Sequence, residues 1–340
     1  MKAAYYNGNK EFKLTAGTEV TPGQGEVKIK VAYCGICGTD QHIFHGVMDK
    51  RVSIPQVIGH EASGVVVEIG SGVDNVKVGD KVVVRPLNWC GECPTCKAGN
   101  SHICTSLKFM GIDSIGAFQE YWTVKARILH KCPDNISLKT AALIEPLAVA
   151  CHDIRRGRLK AGEYAVILGG GPIGLLIAMA AREAGAKVII SEINEYRLKL
   201  ATDMGFETFN PLQGDLKAHV MTATANTGAD VVFEVTASAP GAAIMTELLR
   251  PRGRIVLVGI YSQPQTINLF NFFWKELEMI GARVYEPEDF DQAVKLTAEG
   301  KLPLEDIISG VYNLTDIQQA FESFEGNSTA MKVLVQCEQN

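Results

Sequence analysis

Tyr164-Ala165-Val166-Ile167-Leu168-Gly169-Gly170-Gly171-Pro172-Ile173-Gly174 runs from an apolar stretch into a glycine turn and on into a small-residue segment, Pro172 to Glu183. A short apolar run bounded by a turn reads as a strand buried on both faces. The segment after it reads as a helix opened by proline at its first position. A strand passing through G-x-G-x-x-G into a helix is the context in which that motif holds a dinucleotide. Gly169 permits the tight turn, Gly171 lets the pyrophosphate approach the backbone, and Gly174 lets the helix pack close to the strand. Pro172 and Ile173 complete the first helical turn, whose free N–H groups and partial positive charge face the phosphates. The alternative is a turn whose glycines serve packing alone.

Working outward, Lys187 to Ser191 is the next strand and Glu195 to Met204 the next helix. Glu192, 18 residues past Gly174, ends that strand. A carboxylate there accepts the adenosine ribose hydroxyls and repels a 2′-phosphate, so NAD is expected over NADP. Arg197 lies close by and would turn toward a phosphate if NADP were used. Asp230 to Glu234 and Arg254 to Val258 are further strands with helical patterns between them, which makes a doubly wound parallel sheet. Before residue 150 the pattern differs. Glu26 to Val31, Gly64 to Ile69 and Lys81 to Val84 are short β-branched runs separated by glycine turns, an antiparallel, barrel-like β domain. Met331 to Val335 is again a strand and is expected to return to that first domain. The expected division is 1–150, 151–286 and 287–340.

The chain of 340 residues is long enough for two domains. Its net charge of −5 gives no basic footprint for nucleic acid. The longest apolar run, Leu175 to Ala181, is too short to span a bilayer, and Met1 to Tyr6 has no apolar core of signal-peptide type. A cytoplasmic protein is expected. Nine cysteines, an odd number, favour metal binding over disulfides in that compartment.

Two ligand sets stand out. Cys90, Cys93, Cys96 and Cys104 are spaced C-x2-C-x2-C-x7-C, close enough for one loop to wrap one tetrahedral ion. Four thiolates make a closed structural zinc site; an iron–sulfur cluster is the alternative by ligand type. The second set is scattered: Cys37, His60, Glu61 and Glu145. One sulfur, one imidazole and carboxylates leave a coordination position open, as a catalytic zinc requires. Taken singly, His60 is also a polar turn residue, Glu61 a carboxylate behind the ligands, and Glu145 a carboxylate favoured by a helix N-terminus. Cys34, Cys132, Cys151 and Cys337 read as ordinary thiols.

Gly35-Ile36-Cys37-Gly38-Thr39-Asp40-Gln41-His42, Gly59-His60-Glu61-Ala62-Ser63-Gly64, the four-cysteine lobe and Gly169 to Gly174 occur in the order seen in zinc-dependent medium-chain alcohol dehydrogenases. The resemblance covers essentially the whole chain. It implies an α/β protein with a GroES-like β-barrel catalytic domain and a Rossmann domain. Ala142-Leu143-Ile144-Glu145-Pro146-Leu147 with His152 and Arg155-Arg156-Gly157 resembles the sorbitol (polyol) dehydrogenase branch. From the resemblance, Cys37 and His60 are zinc ligands and Glu61 a constant or alternating one. Glu145 stands where the alcohol dehydrogenases proper carry a second cysteine. Asp40 orients His60, Thr39 and His42 relay a proton, and Arg283 contacts the cofactor. The implied reaction moves a hydride from a secondary alcohol, such as a polyol or sugar acid, to NAD, giving a ketone. L-Threonine and butanediol oxidation are alternatives, as is a catalytically silent NAD-binding protein. Two zinc ions per subunit and a homo-oligomer, a tetramer more than a dimer, are also implied. Thr266 to Trp274 is aromatic-rich, which suits an interface or a core.

Overall fold

The computed structural model describes residues 1–338. It forms two compact units: Met1–Pro146 together with the segment from Glu286 onward, and Leu147–Tyr285. The first boundary falls within the helix Ile144–Arg156, a few residues before the change of pattern read at 150.

In the continuous unit, six parallel strands lie in the order Glu207–Phe209, Lys187–Ser191, Tyr164–Leu168, Ala229–Glu234, Leu249–Leu257, Glu278–Gly281. The direction of winding reverses between Tyr164–Leu168 and Ala229–Glu234, and open sheets of this kind bind ligands beyond the strand ends at such a reversal. The glycine turn sits there. Gly169 has φ +106°, a left-handed conformation that glycine adopts without strain. A Cβ on Gly174 would collide with the Gly169 carbonyl oxygen, so the helix Pro172–Glu183 can lie this close only with glycine at that position. The core of the unit joins Val166, Leu168, Ile189, Val232 and Ile255 from the strands to Val220 and Leu248.

In the discontinuous unit the strand Glu26–Gly35 is central. It pairs antiparallel with Glu61–Ile69, Tyr121–Lys125 and Lys332–Gln336. The C-terminal strand therefore returns to the first unit. Glu61–Ile69 continues the sheet to Lys81–Val84 and Leu129–Lys131. A smaller sheet joins Phe12–Ala16, Lys2–Tyr6 and Gln56–Val57. The antiparallel reading needs one amendment, because Ile308–Asn313 pairs parallel with Lys332–Gln336. Phe118 and Ile43 are fully buried, and Phe118 packs edge-on against Phe321, so both belong to the core.

Within 266–274 the helix Leu269–Lys275 leaves Leu269, Phe270, Phe273 and Trp274 between 64% and 79% exposed, which rules out the core reading for them. No helix among the described residues is long and apolar enough to cross a membrane.

Gly174→Ala is expected to destabilise the Leu147–Tyr285 unit by about 1–3 kcal/mol, the usual effect of overpacking. Denaturant unfolding of the variant against the parent measures it.

Candidate active site and metal centres

Backbone register assembles the first site. Glu26–Gly35 runs out into Cys37, Gly35 is the register partner of Glu61, and Ile36 N–H donates to the Val333 carbonyl. The end of one strand and the starts of its two neighbours thus meet at one edge. One ligand atom from each of Cys37, His60 and Glu61 falls within 4.8 Å of the others. Cys37 caps the helix Gly38–Phe44, and Asp40 closes the cap by accepting the Cys37 N–H at 2.9 Å. The other Asp40 oxygen faces His60 Nδ1 at 3.5 Å, with both residues buried. A carboxylate behind an imidazole fixes the tautomer and leaves Nε2 for a metal. Without a metal, burial alone would push His60 down, but Asp40 and Cys37 outweigh it and hold the ring well above its ordinary value. One sulfur, one oriented imidazole and a carboxylate in reach fit a zinc ion with an open position.

Lys332, which the sequence reading passed over, completes this cluster. Its Nζ donates to both Glu61 oxygens at 2.7 Å, and the two residues are 3% and 1% exposed. Removing one partner of a buried pair of this kind costs about 3–5 kcal/mol. A lysine heading an apolar run normally reads as a surface residue. The one available signal is that Met331 to Val335 shows no polar alternation, so a charge within it had to be buried and paired.

Glu145 occupies the first turn of Ile144–Arg156 and is only 5% exposed. It is not among the residues brought within 4.8 Å of one another; burial would push Lys332 down, but Glu61 foremost, with a smaller share from Glu145, holds it above its ordinary value. Thr39 is half-buried and His42 exposed on Gly38–Phe44, one helical turn apart and on one face.

The four cysteines converge. Sγ separations are 3.5 Å for Cys90–Cys104, 3.8 Å for Cys93–Cys104 and 4.0 Å for Cys90–Cys96. Four thiolates around one zinc at about 2.3 Å would stand about 3.8 Å apart. Backbone N–H groups of Glu92 and Cys93 point at Cys90 Sγ, and that of Cys96 points at Cys93 Sγ. These donors pull Cys90 below its ordinary value and Cys93 down to about 5, as metal-ready thiolates require. Desolvation first, then the neighbouring sulfurs, push Cys96 up to about 12, which shows the crowding a cation would relieve. The ring of Trp89, next to Cys90, carries the guanidinium groups of Arg127 at 4.2 Å and Arg85 at 4.7 Å from its centroid.

At the glycine turn, Glu192 Oε2 accepts the Gly170 N–H at 2.8 Å, while Oε1 accepts those of Ile193 and Asn194 at 2.7 and 2.9 Å. The carboxylate is thereby fixed beside the turn. Arg197 Nη1 lies 3.8 Å from it and is the nearest atom to a Cβ placed on Gly171. Gly171 caps the helix with Pro172 at its first position, so the initial N–H groups are free for an anion. Thr236 also borders this turn, since a Cβ on Gly169 would meet its methyl group; nothing in the sequence pattern marked it. Arg283 is exposed just past Glu278–Gly281, three strands along the sheet from the turn, or about 14 Å at ordinary strand spacing.

Comparison with known proteins identifies the family. Residues 23–134 match the alcohol dehydrogenase GroES-like domain and residues 172–299 the zinc-binding dehydrogenase domain. The chain is 58% identical over 337 residues to 2-dehydro-3-deoxy-L-galactonate 5-dehydrogenase of Pseudoalteromonas atlantica, covering 99% of each chain. It is 34% identical to sorbitol dehydrogenase of Halalkalibacterium halodurans, over 97% of this chain and 96% of that one. A zinc-binding dehydrogenase of Sinorhizobium meliloti, solved with NADP, superposes with a TM-score of 0.92 at 31% identity over 98% of each chain. The chain belongs to the zinc-dependent medium-chain alcohol dehydrogenase family, with a GroES-like domain and a Rossmann domain.

Cys96→Ser is expected to lower the first thermal transition by several degrees. Chelator treatment of the parent should reproduce the shift in differential scanning calorimetry, and chelator should shift the variant less.

Proposed function

We propose that this member of the family uses NAD and zinc to oxidise a secondary alcohol of a sugar acid to a ketone. The convergence of Cys37, His60 and Glu61 within 4.8 Å carries the catalytic part of the reading. The 58% identity to a sugar-acid dehydrogenase along the whole chain supports the substrate class over a simple polyol, L-threonine or butanediol. A silent cofactor-binding protein has no need of an oriented imidazole beside a thiol and a carboxylate.

Cys37 and His60 would hold the zinc, with Glu61 and Glu145 as further oxygen donors; the ion would supply Lewis acidity to a substrate hydroxyl and NAD would accept the hydride. The chain does the rest. Asp40 keeps the His60 ring in the ligating tautomer. Thr39 and His42 share a face of one helix and lead from half-buried to exposed, so they suit a relay carrying the hydroxyl proton to solvent. Gly169, Gly171 and Gly174 let the pyrophosphate reach the free N–H groups of the first helical turn that follows Pro172, beginning with Ile173.

The fixed carboxylate of Glu192 retains lone pairs for the ribose hydroxyls and disfavours a 2′-phosphate, which supports NAD. Arg197 serves the adenosine side. Arg283, farther along the sheet, serves the part of the cofactor extending away from the glycine turn.

A second zinc belongs to the four-cysteine lobe and is structural. The exposed Leu269, Phe270, Phe273 and Trp274 support a homo-oligomer, a tetramer by family likeness, because aromatic residues are enriched at interfaces. None of the nine cysteines is in a disulfide, which supports a reducing compartment, the cytoplasm.

Metal analysis should give two zinc ions per chain, and Cys37→Ser should give one, with the fold kept and turnover lost. Glu192→Ser should raise the KM for NAD about tenfold or more and narrow the preference over NADP; unchanged preference would move the ribose contact elsewhere. The decisive test is NADH formation across sugar acids, polyols, L-threonine and butanediol. A zinc-loaded protein that binds NAD and oxidises none of them would overturn the enzyme reading.

A further inference from the structure

We propose that Lys332 is a positioning residue for the metal centre: its ammonium competes with the ion for the Glu61 carboxylate and so sets how many protein ligands the ion holds. The inference rests on the reading of Cys37 and His60 as metal ligands.

The geometry gives Glu61 two claimants. Lys332 Nζ lies 2.7 Å from both of its oxygens and 3.4 Å from the Ile36 carbonyl oxygen. At the same time a Glu61 oxygen lies within 4.8 Å of the ligand atoms of Cys37 and His60. Glu61 is therefore within reach of an ion while both of its oxygens are already held by the ammonium, so any share of the carboxylate taken by the ion is taken from Lys332. Neither group has another escape. Lys332 is 3% exposed on a strand, so its charge cannot swing into water. On the far side the carboxylate lies against the backbone at Gly35, where even a Cβ would collide with Oε2. The backbone at Gly35 closes that side to the carboxylate.

Charge acts in the same direction. With an ion bound, a Cys37 thiolate and the carboxylates of Glu61, Asp40 and Glu145 would outnumber the single ammonium of Lys332. Removing the lysine leaves a site that attracts a dication more strongly and a carboxylate with only the ion to pair with. A purely structural ion pair would behave differently, since its loss would destabilise metal-free and metal-loaded protein alike.

The test uses the full chain as Lys332→Met, Lys332→Arg, Glu61→Gln and the Lys332→Met/Glu61→Gln double variant. Zinc affinity is read by chelator competition. The coordination number is read from the visible spectrum of the cobalt-substituted protein as a difference against the parent, in which the four-cysteine lobe cancels. Lys332→Met should bind zinc at the Cys37 site about tenfold tighter or more, the scale on which groups behind metal ligands act, and its cobalt spectrum should show an added ligand. Lys332→Arg should resemble the parent, and the double variant should match Glu61→Gln.

An unchanged affinity and spectrum in Lys332→Met, or a change that persists in the double variant, would overturn the proposal. If Lys332→Met does not fold without metal, zinc should restore it, because the ion takes over the carboxylate; failure to fold with zinc would also overturn the proposal. A parent chain that takes up only the lobe zinc would sink the reading of Cys37 and His60 itself, a result distinct from all of these.

Discussion

The pairing of Glu26–Gly35 with its neighbours is the constraint from which the first unit's chemistry follows. A strand register is all-or-none, since a slip by one residue turns every side chain to the other face. With Gly35 opposite both Glu61 and Leu334, the ends of three strands coincide, and Cys37, His60, Glu61 and Lys332 are delivered to one place. None depends on a long loop for its position. That matters because buried charges are tolerated only when their partners are fixed: an unpaired carboxylate at this depth would cost more than the pair returns. The same rigidity gives the imidazole its orientation, because Asp40 is locked by the helix cap that begins at Cys37.

The Rossmann unit shows a comparable economy. Glu192 acts on its own backbone before it meets any ligand. By accepting three N–H groups it ties the end of Lys187–Ser191 to the glycine turn, so a carboxylate placed to discriminate between cofactors also shapes the loop that holds their phosphates. Changing it for specificity therefore disturbs the cradle as well, and Arg197 at 3.8 Å is too loosely placed to compensate.

Much of this was legible in the residues. The strand, glycine turn and helix at 164–183 and the four-cysteine lobe depend on local patterns, and local patterns survive in a single sequence. Cys37, His60 and Glu61 became a set through family order, and the register then brought them together in space. Lys332 was not legible, because its meaning depends on Glu61, 271 positions away. The same holds for Thr236, whose methyl group matters only against Gly169. Glu145 was named from sequence and is buried near Lys332, yet the structure keeps it outside the tight cluster of Cys37, His60 and Glu61. The exposed aromatic face on Leu269–Lys275 shows the opposite limit, since composition alone cannot separate a core from a surface meant for contact.

The discontinuity of the first unit has a consequence in time. Cys37, His60 and Glu61 leave the ribosome early, followed by the whole nucleotide-binding unit, and only then by the strand that carries Lys332. Until that strand is inserted beside Glu26–Gly35, Glu61 has no internal counter-charge and the sheet has an open edge. During synthesis the site is thus incomplete, while every residue of the compact Leu147–Tyr285 unit has already been made. Closing the first unit must await synthesis of Lys332–Gln336, so the ammonium that balances Glu61 is made long after the carboxylate it pairs with.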